Sequence, residues 1–379
     1  MSRANVAVVV GTRPEVIKMA PLVLALRESE HLQPVLISTG QHRQMLDQAL
    51  SVFGLTPDID LQLMEPGQGL SRIAARTLET ITKVYEDIQP AWVAVQGDTT
   101  TALAAGLAAF YAKIPVAHVE AGLRSGQRYS PFPEEINRRM IDQFAELLFA
   151  PTGNAAAKLL DEGLAPSTVH ITGNTVVDAL LAIRAKLRAQ PVAIPGLDPA
   201  RVAGKRIMLV TAHRRESFGE PLVEICEAVR KIVRDHDDVV AVYPVHLNPN
   251  VDGPARQLLA DHERIVLLPP LDYLAFVSLL DMAHIVLTDS GGIQEEAPTF
   301  RKPILVLRSV TERPEGVDAG VARLVGTSAR VIYAEATRLL RDPKAYASMT
   351  SSVNPYGDGT SSQQIVKLLE RGFAMRKAA

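Results

Sequence analysis

Residues 284–298 read HIVLTDSGGIQEEAP. The opening HIVL is an apolar run of strand type, Ser290, Gly291 and Gly292 make a turn, and a helix start follows. Strand, glycine turn and helix N-terminus together form an anion cradle. Backbone N–H groups can approach an oxyanion there, and the helix end adds about half a positive charge. The pattern G-x-x-x-x-G-K-[ST] occurs nowhere in the chain, so this is not a P-loop. Two carboxylates, Glu295 and Glu296, follow in place of the lysine. A carboxylate one turn into the cradle can accept from both hydroxyls of a ribose, which lets Glu296 bind further along a nucleotide without repelling its phosphates. The plainer explanation of both glutamates is helix-dipole capping. Arg13, His213 and Arg313 are the cations available to a diphosphate.

Working outward, the same alternation of short apolar runs and amphipathic stretches fills the chain. Strands are expected at 6–10, 34–39, 92–96, 115–119, 146–150 and 169–172, then at 206–211, 238–244, 264–268, 284–288 and 303–307. Helical spacing marks 15–28, 43–52, 70–87, 100–112 and 134–145 between them. The strands are β-branched and apolar on both faces, as in parallel sheets covered by helices. The stretch 188–206, rich in Pro, Gly and Ala, interrupts the pattern as a long loop near a domain boundary does. The expected fold class is α/β, with two Rossmann-like domains facing a central cleft where the strand C-terminal ends bind ligand. The first domain is expected to span 1–172, with an amphipathic helix in 361–379 crossing back to it, and the second to span 173–360.

The chain has 379 residues, 47% hydrophobic and 22% charged, a globular composition with room for two cores. Its 40 basic and 42 acidic residues leave a net charge of −2, which argues against nucleic acid as a partner. The single cysteine, Cys226, excludes an internal disulfide and repeats at helical spacing with apolar neighbours, so it reads as core. No run is long enough to cross a membrane, and the N-terminus MSRANVAVVVGTRPE turns strand-like without an apolar signal core. A cytoplasmic protein is expected.

Polar residues follow nearly every strand. GTRPEVIK offers Gly11, Arg13, Glu15 and Lys18; GQHRQ offers Gln41, His42 and Gln44. GDTTT offers Asp98, and EAGLRSGQRYSPFPEEINRR offers Glu120, Arg124, Glu134, Glu135 and Arg138. AHRRESFG in the second half carries His213 and Arg214. Each has a bland explanation. Asp98 can cap helix 100–112, Glu15 and Lys18 can be a solvated helix pair, and His213 can be a hydrogen-bonded loop histidine. Their common placement at strand ends is what packing alone does not require.

Taken together, GTRPEVIKMAPL, GDTTTALAAGLAAFY, HVEAGLRS, SPFPEEINRR, ITGNTVVDAL, TAHRRESFG, YPVHLNPNV and LTDSGGIQEEAP resemble the non-hydrolysing UDP-N-acetylglucosamine 2-epimerases. The resemblance runs from about residue 6 to the NPYGDG at 354–359. It implies a glycosyltransferase-B-like fold, a homodimer, and interconversion of UDP-GlcNAc and UDP-ManNAc for surface polysaccharide synthesis. It implies catalytic roles for Asp98, Glu120, Glu134 and His213. It implies UDP-sugar contacts from Arg13, Lys18, Phe276, Ser290, Gly291, Gly292, Glu296 and Arg313 as well. Many bacterial members bind a second, activating UDP-GlcNAc, and Gln41, His42, Gln44, Arg72, Glu135, Arg214 and His246 stand in the corresponding motifs. The chain departs from the family at Leu271, where a uracil-contacting glutamine is the pattern, leaving the backbone there to serve the base.

The C2 hydrogen of such a sugar is not acidic, so inversion needs either transient oxidation by bound NAD or elimination of UDP across C1–C2 and re-addition. No G-x-G-x-x-G is present; GQGLSR at 67–72 lacks the third glycine and does not follow a strand. Elimination without a redox cofactor is therefore expected. Asp98, Glu120 and Glu134 are the acid–base candidates, in either assignment, and His213, as imidazolium, and Arg313 would meet the leaving-group charge. There is no H-E-x-x-H or paired C-x-x-C, so no metal is expected. The alternatives are a 2-epimerase of a modified UDP-sugar, such as a 2,3-diacetamido uronic acid, a glycosyltransferase of the same fold, and a catalytically silent nucleotide-sugar sensor.

Overall fold

The structure, a computed structural model, describes residues 3–40, 43–65 and 67–378. The chain divides by its contacts into two units, Met1–Ala179 with Tyr356–Ala379, and Leu180–Pro355. The division falls within a helix, later than the 172/173 boundary expected from the sequence, because the helical pattern of 175–189 runs on without punctuation.

The first unit runs β1 (Ala4–Val10), α1 (Arg13–Arg27), β2 (Leu32–Ser38), α2 (Arg43–Val52), β3 (Ile59–Asp60), α3 (Leu70–Ile88), β4 (Trp92–Gln96), α4 (Thr100–Tyr111), β5 (Val116–Val119), α5 (Glu134–Phe144), β6 (Leu147–Ala150), α6 (Gly153–Asp161), β7 (Val169–Ile171) and the start of α7 (Thr175–Ala189). Its seven strands are all parallel, in the order β3-β2-β1-β4-β5-β6-β7. The order reverses between β1 and β4, the switch point at which open α/β sheets bind ligands. The unbroken apolar run of β1 has a simple cause. Val6, Val8 and Val10 enter one core with Trp92 and Leu22, while Ala7 and Val9 enter the other with Val93 and Tyr85.

The second unit runs α8 (Pro199–Val202), β8 (Arg206–Thr211), α9 (Glu220–Asp235), β9 (Val239–Pro244), α10 (Pro249–Leu259), β10 (Ile265–Leu268), α11 (Tyr273–Met282), β11 (Ile285–Thr288), α12 (Gly291–Glu296), β12 (Ile304–Val306), α13 (Pro314–Asp318), β13 (Ala322–Leu324), α14 (Ala329–Arg341) and α15 (Pro343–Thr350). Its six parallel strands take the equivalent order β10-β9-β8-β11-β12-β13, with the switch point between β8 and β11. Cys226 lies in the core of this unit on α9, where burial pushes its thiol up to about 12.

The last helix, α16 (Ser361–Ala378), packs in the first unit: Ile365 and Leu369 share the core of Val6 and Val8. The Trp92 indole N–H donates to the Leu369 carbonyl at 3.1 Å, and Ser29 Oγ donates to Glu370 at 2.6 Å. Edge strands β3 and β13 are absent from the sequence reading because two- and three-residue runs carry no period.

Candidate active site

In the first unit, two turns meet across the β1/β4 switch point. Thr12 caps α1 in a capping box, and the Glu15 carboxylate reaches back so that Oε2 accepts from the N–H groups of Gly11 and Thr12, both at 2.7 Å. Oε1 accepts from the Thr99 hydroxyl at 2.6 Å, and Thr99 itself caps α4 through the Ala102 N–H. Glu15 is buried, and that burial pushes its carboxyl up. The bland alternative, a solvated Glu15–Lys18 pair, therefore does not hold. Glu15 stitches β1 to β4, and Lys18 Nζ donates instead to Glu120 Oε1 at 2.5 Å. A Cβ at Gly11 would stand 2.4 Å from Thr39 Oγ1, so only glycine fits that turn. Arg13 opens α1, exposed.

Asp98 is not the α4 cap, since Thr99 holds that position. Its side chain instead pairs with Arg138 at 2.5 Å, and its carbonyl accepts from Asn137 Nδ2 at 2.8 Å. Next in the sheet, Glu120 follows β5 with a positive φ of 68°, a conformation non-glycine residues adopt at a cost. Its carboxylate is nearly closed off from solvent and held from both sides, by Lys18 and by the Gln96 amide. Glu134, half-buried in the first turn of α5, has no side-chain partner among the described residues. Glu135 beside it is fully buried. Burial alone would raise its carboxyl, but hydrogen bonds from Ser125 and the charges of Arg138 and Arg139 outweigh that and hold it low.

Beneath this row lies a buried network that the sequence reading missed. His118 Nδ1 stands 2.6 Å from Asp142 Oδ1 and Nε2 2.8 Å from the Gly97 carbonyl, on the residue before Asp98. Arg124 then pairs Asp142 at 2.7 Å and grips Glu162 with two hydrogen bonds. A histidine inside the run VAHV was the available signal, because a polar ring within a strand buried on both faces needs partners.

In the second unit, Asp289 follows β11 and faces the turn after β8. Its Oδ2 accepts from the N–H groups of His213 and Arg214, each at 2.8 Å, and from Ser217 Oγ at 2.9 Å. His213 stacks on His246 with ring centroids 5.6 Å apart. Burial, His246 and Arg214 hold the His213 imidazole below its ordinary value, with Asp289 pulling the other way. The surroundings of the ring within the protein thus disfavour the imidazolium, which has to be favoured by the charge of the leaving group.

Ser290 caps α12, and a Cβ built on Gly291 or Gly292 would meet nothing closer than 3.8 Å. Neither glycine has a positive φ. The protein's own packing therefore does not require glycine here; the Ser290 N–H donates to Thr288 Oγ1 at 3.0 Å, and the N–H groups of Gly291 and Gly292 are left for close approach by an anion. The two carboxylates lie at the far end of α12 with none in its first turn, which removes the dipole-capping explanation. Glu295 is neutralised by a short ion pair with Arg313, and the Tyr273 hydroxyl lies 3.5 Å from Glu296. Phe276 and Leu271 are half-buried on and before α11.

The residues offered for a second nucleotide-sugar are dispersed among these elements. Gln41 and His42 lie outside the described residues, as does the side chain of Gln44. Arg72 is exposed at 4.0 Å from Glu65, Glu135 is buried, and Arg214 and His246 flank His213. Among the described residues no three His, Cys, Asp or Glu side chains gather as a metal site, and no helix is long and apolar enough to cross a membrane.

A family model described as UDP-N-acetylglucosamine 2-epimerase matches residues 24–370. The UDP-N-acetylglucosamine 2-epimerases of Salmonella typhimurium and Escherichia coli K12 are each 50% identical, over 97% of this chain and 98% of theirs. A crystal structure of UDP-GlcNAc 2-epimerase from Neisseria meningitidis bound to UDP-GlcNAc is 44% identical and superposes with a TM-score of 0.85, covering 97% of this chain and all of that one.

Proposed function

The chain belongs to the UDP-N-acetylglucosamine 2-epimerase family, and from that premise we propose that it inverts C2 of UDP-GlcNAc to give UDP-ManNAc, reversibly. A carboxylate from Asp98, Glu120 or Glu134 removes the C2 hydrogen as the C1–O bond to UDP breaks. The products of that step are a glycal, UDP and a protonated carboxyl. Re-addition of UDP to C1, with a second of these three carboxyls giving its proton to the other face of C2, completes the inversion. No electron is transferred, which fits a chain without the dinucleotide fingerprint after β1 or β8.

The Ser290–Gly292 turn supplies N–H groups to the diphosphate, with Arg13 and Arg313 as cations and Phe276 and Glu296 along the nucleoside. His213 takes up a proton from solvent when it is joined by the diphosphate, whose negative charge favours the imidazolium. The observation that carries this reading is the placing of Asp98 and Glu120 at the ends of adjacent strands, each carboxylate held by a cation, Arg138 and Lys18. Family membership further supports a cytoplasmic homodimer serving surface polysaccharide synthesis. It also supports activation by a second UDP-GlcNAc.

Incubation with UDP-GlcNAc in D₂O, followed by NMR, tests the reaction. The expected result is UDP-ManNAc carrying deuterium at C2 with no acceptor added. Binding without deuterium at C2, or UDP release that depends on an acceptor sugar, would overturn it.

A further inference from the structure

Asp289 has a second oxygen that the fold does not use. Oδ2 takes all three donors of the turn after β8, whereas Oδ1, fully buried, has no hydrogen-bond partner and lies 3.8 Å from His213 Nδ1. Buried polar atoms are ordinarily paired, so an orphan carboxylate oxygen aimed at a ring nitrogen calls for an explanation. Holding the 213–217 turn needs one acceptor only, which an asparagine would provide equally well. The distance to a hydrogen bond is roughly 1 Å, within reach of a small rotation of the imidazole.

We infer that Asp289 is a positioning residue for His213: its Oδ1 holds the ring with Nδ1 protonated and presents Nε2 to the substrate. When the ring takes up a proton beside the leaving diphosphate, the same oxygen faces the new positive charge. Among the described residues, the charged and titratable groups acting on the ring are Asp289, His246 and Arg214, and of these only Asp289 favours the imidazolium. This inference rests on the proposed role of His213.

Asp289→Asn separates positioning from scaffolding. The asparagine oxygen can accept from the three turn donors, which leaves its NH₂ facing Nδ1, donor against donor. The ring is then driven to the Nε2–H tautomer. The expected result is a fall in kcat of ~10² or more, by analogy with other carboxylate–histidine pairs. KM for UDP-GlcNAc should change little, and the pH limb of kcat belonging to His213 should move to lower pH. His213→Asn is assayed beside it. If His213→Asn is inactive while Asp289→Asn keeps wild-type kcat and pH profile, the positioning role is overturned and the proposed chemistry stands. If His213→Asn retains near-normal turnover, the role of His213 itself fails. Ring ¹⁵N NMR of the wild-type protein, assigned with His213→Asn, does not depend on how the Asp289 variant folds. Nδ1–H at pH 7 supports the inference and Nε2–H refutes it.

Discussion

Lys18 Nζ and Glu120 Oε1 stand 2.5 Å apart, on residues 102 positions distant in the chain, and both side chains are mostly buried. Removing one partner of such a pair leaves an uncompensated charge in a poorly solvated place, at about 3–5 kcal/mol. Lys18→Met should therefore lower stability by an amount in that range in urea unfolding. The double variant Lys18→Met/Glu120→Gln should be more stable than Lys18→Met alone, because the stranded carboxylate is gone. Equal stability of the two would show that Lys18 does not compensate the charge of Glu120.

Asp98 presents the opposite balance. Its carboxylate is about a quarter exposed and its pair with Arg138 is partly solvated, so the pair contributes roughly 0–1 kcal/mol. The Gly97–Asp98 backbone is held independently, by His118 and Asn137. Asp98→Asn should keep its melting temperature within a few degrees while turnover falls ~10²–10⁴-fold, the range for loss of a general acid or base. Near-normal epimerisation would remove Asp98 from the chemistry.

The strands were legible because β-branched runs buried on both faces leave a signal independent of their neighbours, as β1 shows with valines feeding both cores. The strand-end loops were legible for a related reason, since glycine and carboxylate after an apolar run mark the edge where a parallel sheet binds ligands. Partners were not. Helical spacing offered Lys18 to Glu15, yet Glu15 bonds to Thr99, 84 residues on, and Lys18 to Glu120. His118 and Asp142 lie on different elements, and nothing local to either marks the other. Sequence periodicity reports which face a residue takes, and pairing is fixed only when crossovers bring β4 beside β1 and β11 beside β8. The unit division at 179/180 leaves no local mark for the converse reason: α7 is locally continuous, and only long-range packing assigns its two parts.

Glu15 gives a pH prediction with a definite sign. Burial raises its folded-state value above the ordinary 4.5, and the hydrogen bonds from Thr99, Gly11 and Thr12 offset this only in part. In the window between 4.5 and the raised value, the folded chain holds a proton that the unfolded chain has released, so this group's contribution to stability falls as pH rises. Glu15→Gln keeps an acceptor for the Gly11 and Thr12 amides and a donor for Thr99, and it carries no charge. Relative to wild type, the variant should be most favoured near neutral pH and lose that advantage as the pH is lowered toward 4.5. Urea unfolding of both proteins at several pH values across that range measures the difference. A difference independent of pH would show that Glu15 is not titrating in the fold.

Gly372 sits inside α16 against the chain's single tryptophan, and two effects of opposite sign decide what alanine does there. Glycine in a helix interior costs about 1 kcal/mol relative to alanine, so on propensity alone Gly372→Ala should stabilise the protein. A Cβ at that position, however, would lie 2.7 Å from Trp92 Cζ2. The indole cannot give way easily. It is fully buried, its N–H is bonded to the Leu369 carbonyl one turn earlier, and the Arg376 guanidinium lies over its ring at 3.8 Å. Overpacking against a ring held in this way costs typically 1–3 kcal/mol, which exceeds the propensity gain. Gly372→Ala should therefore lower Tm. It should also alter the tryptophan emission, which reports this contact alone because no other tryptophan contributes. A rise in Tm with unchanged emission would mean that α16 slides enough to admit the methyl group and that the indole does not fix its register.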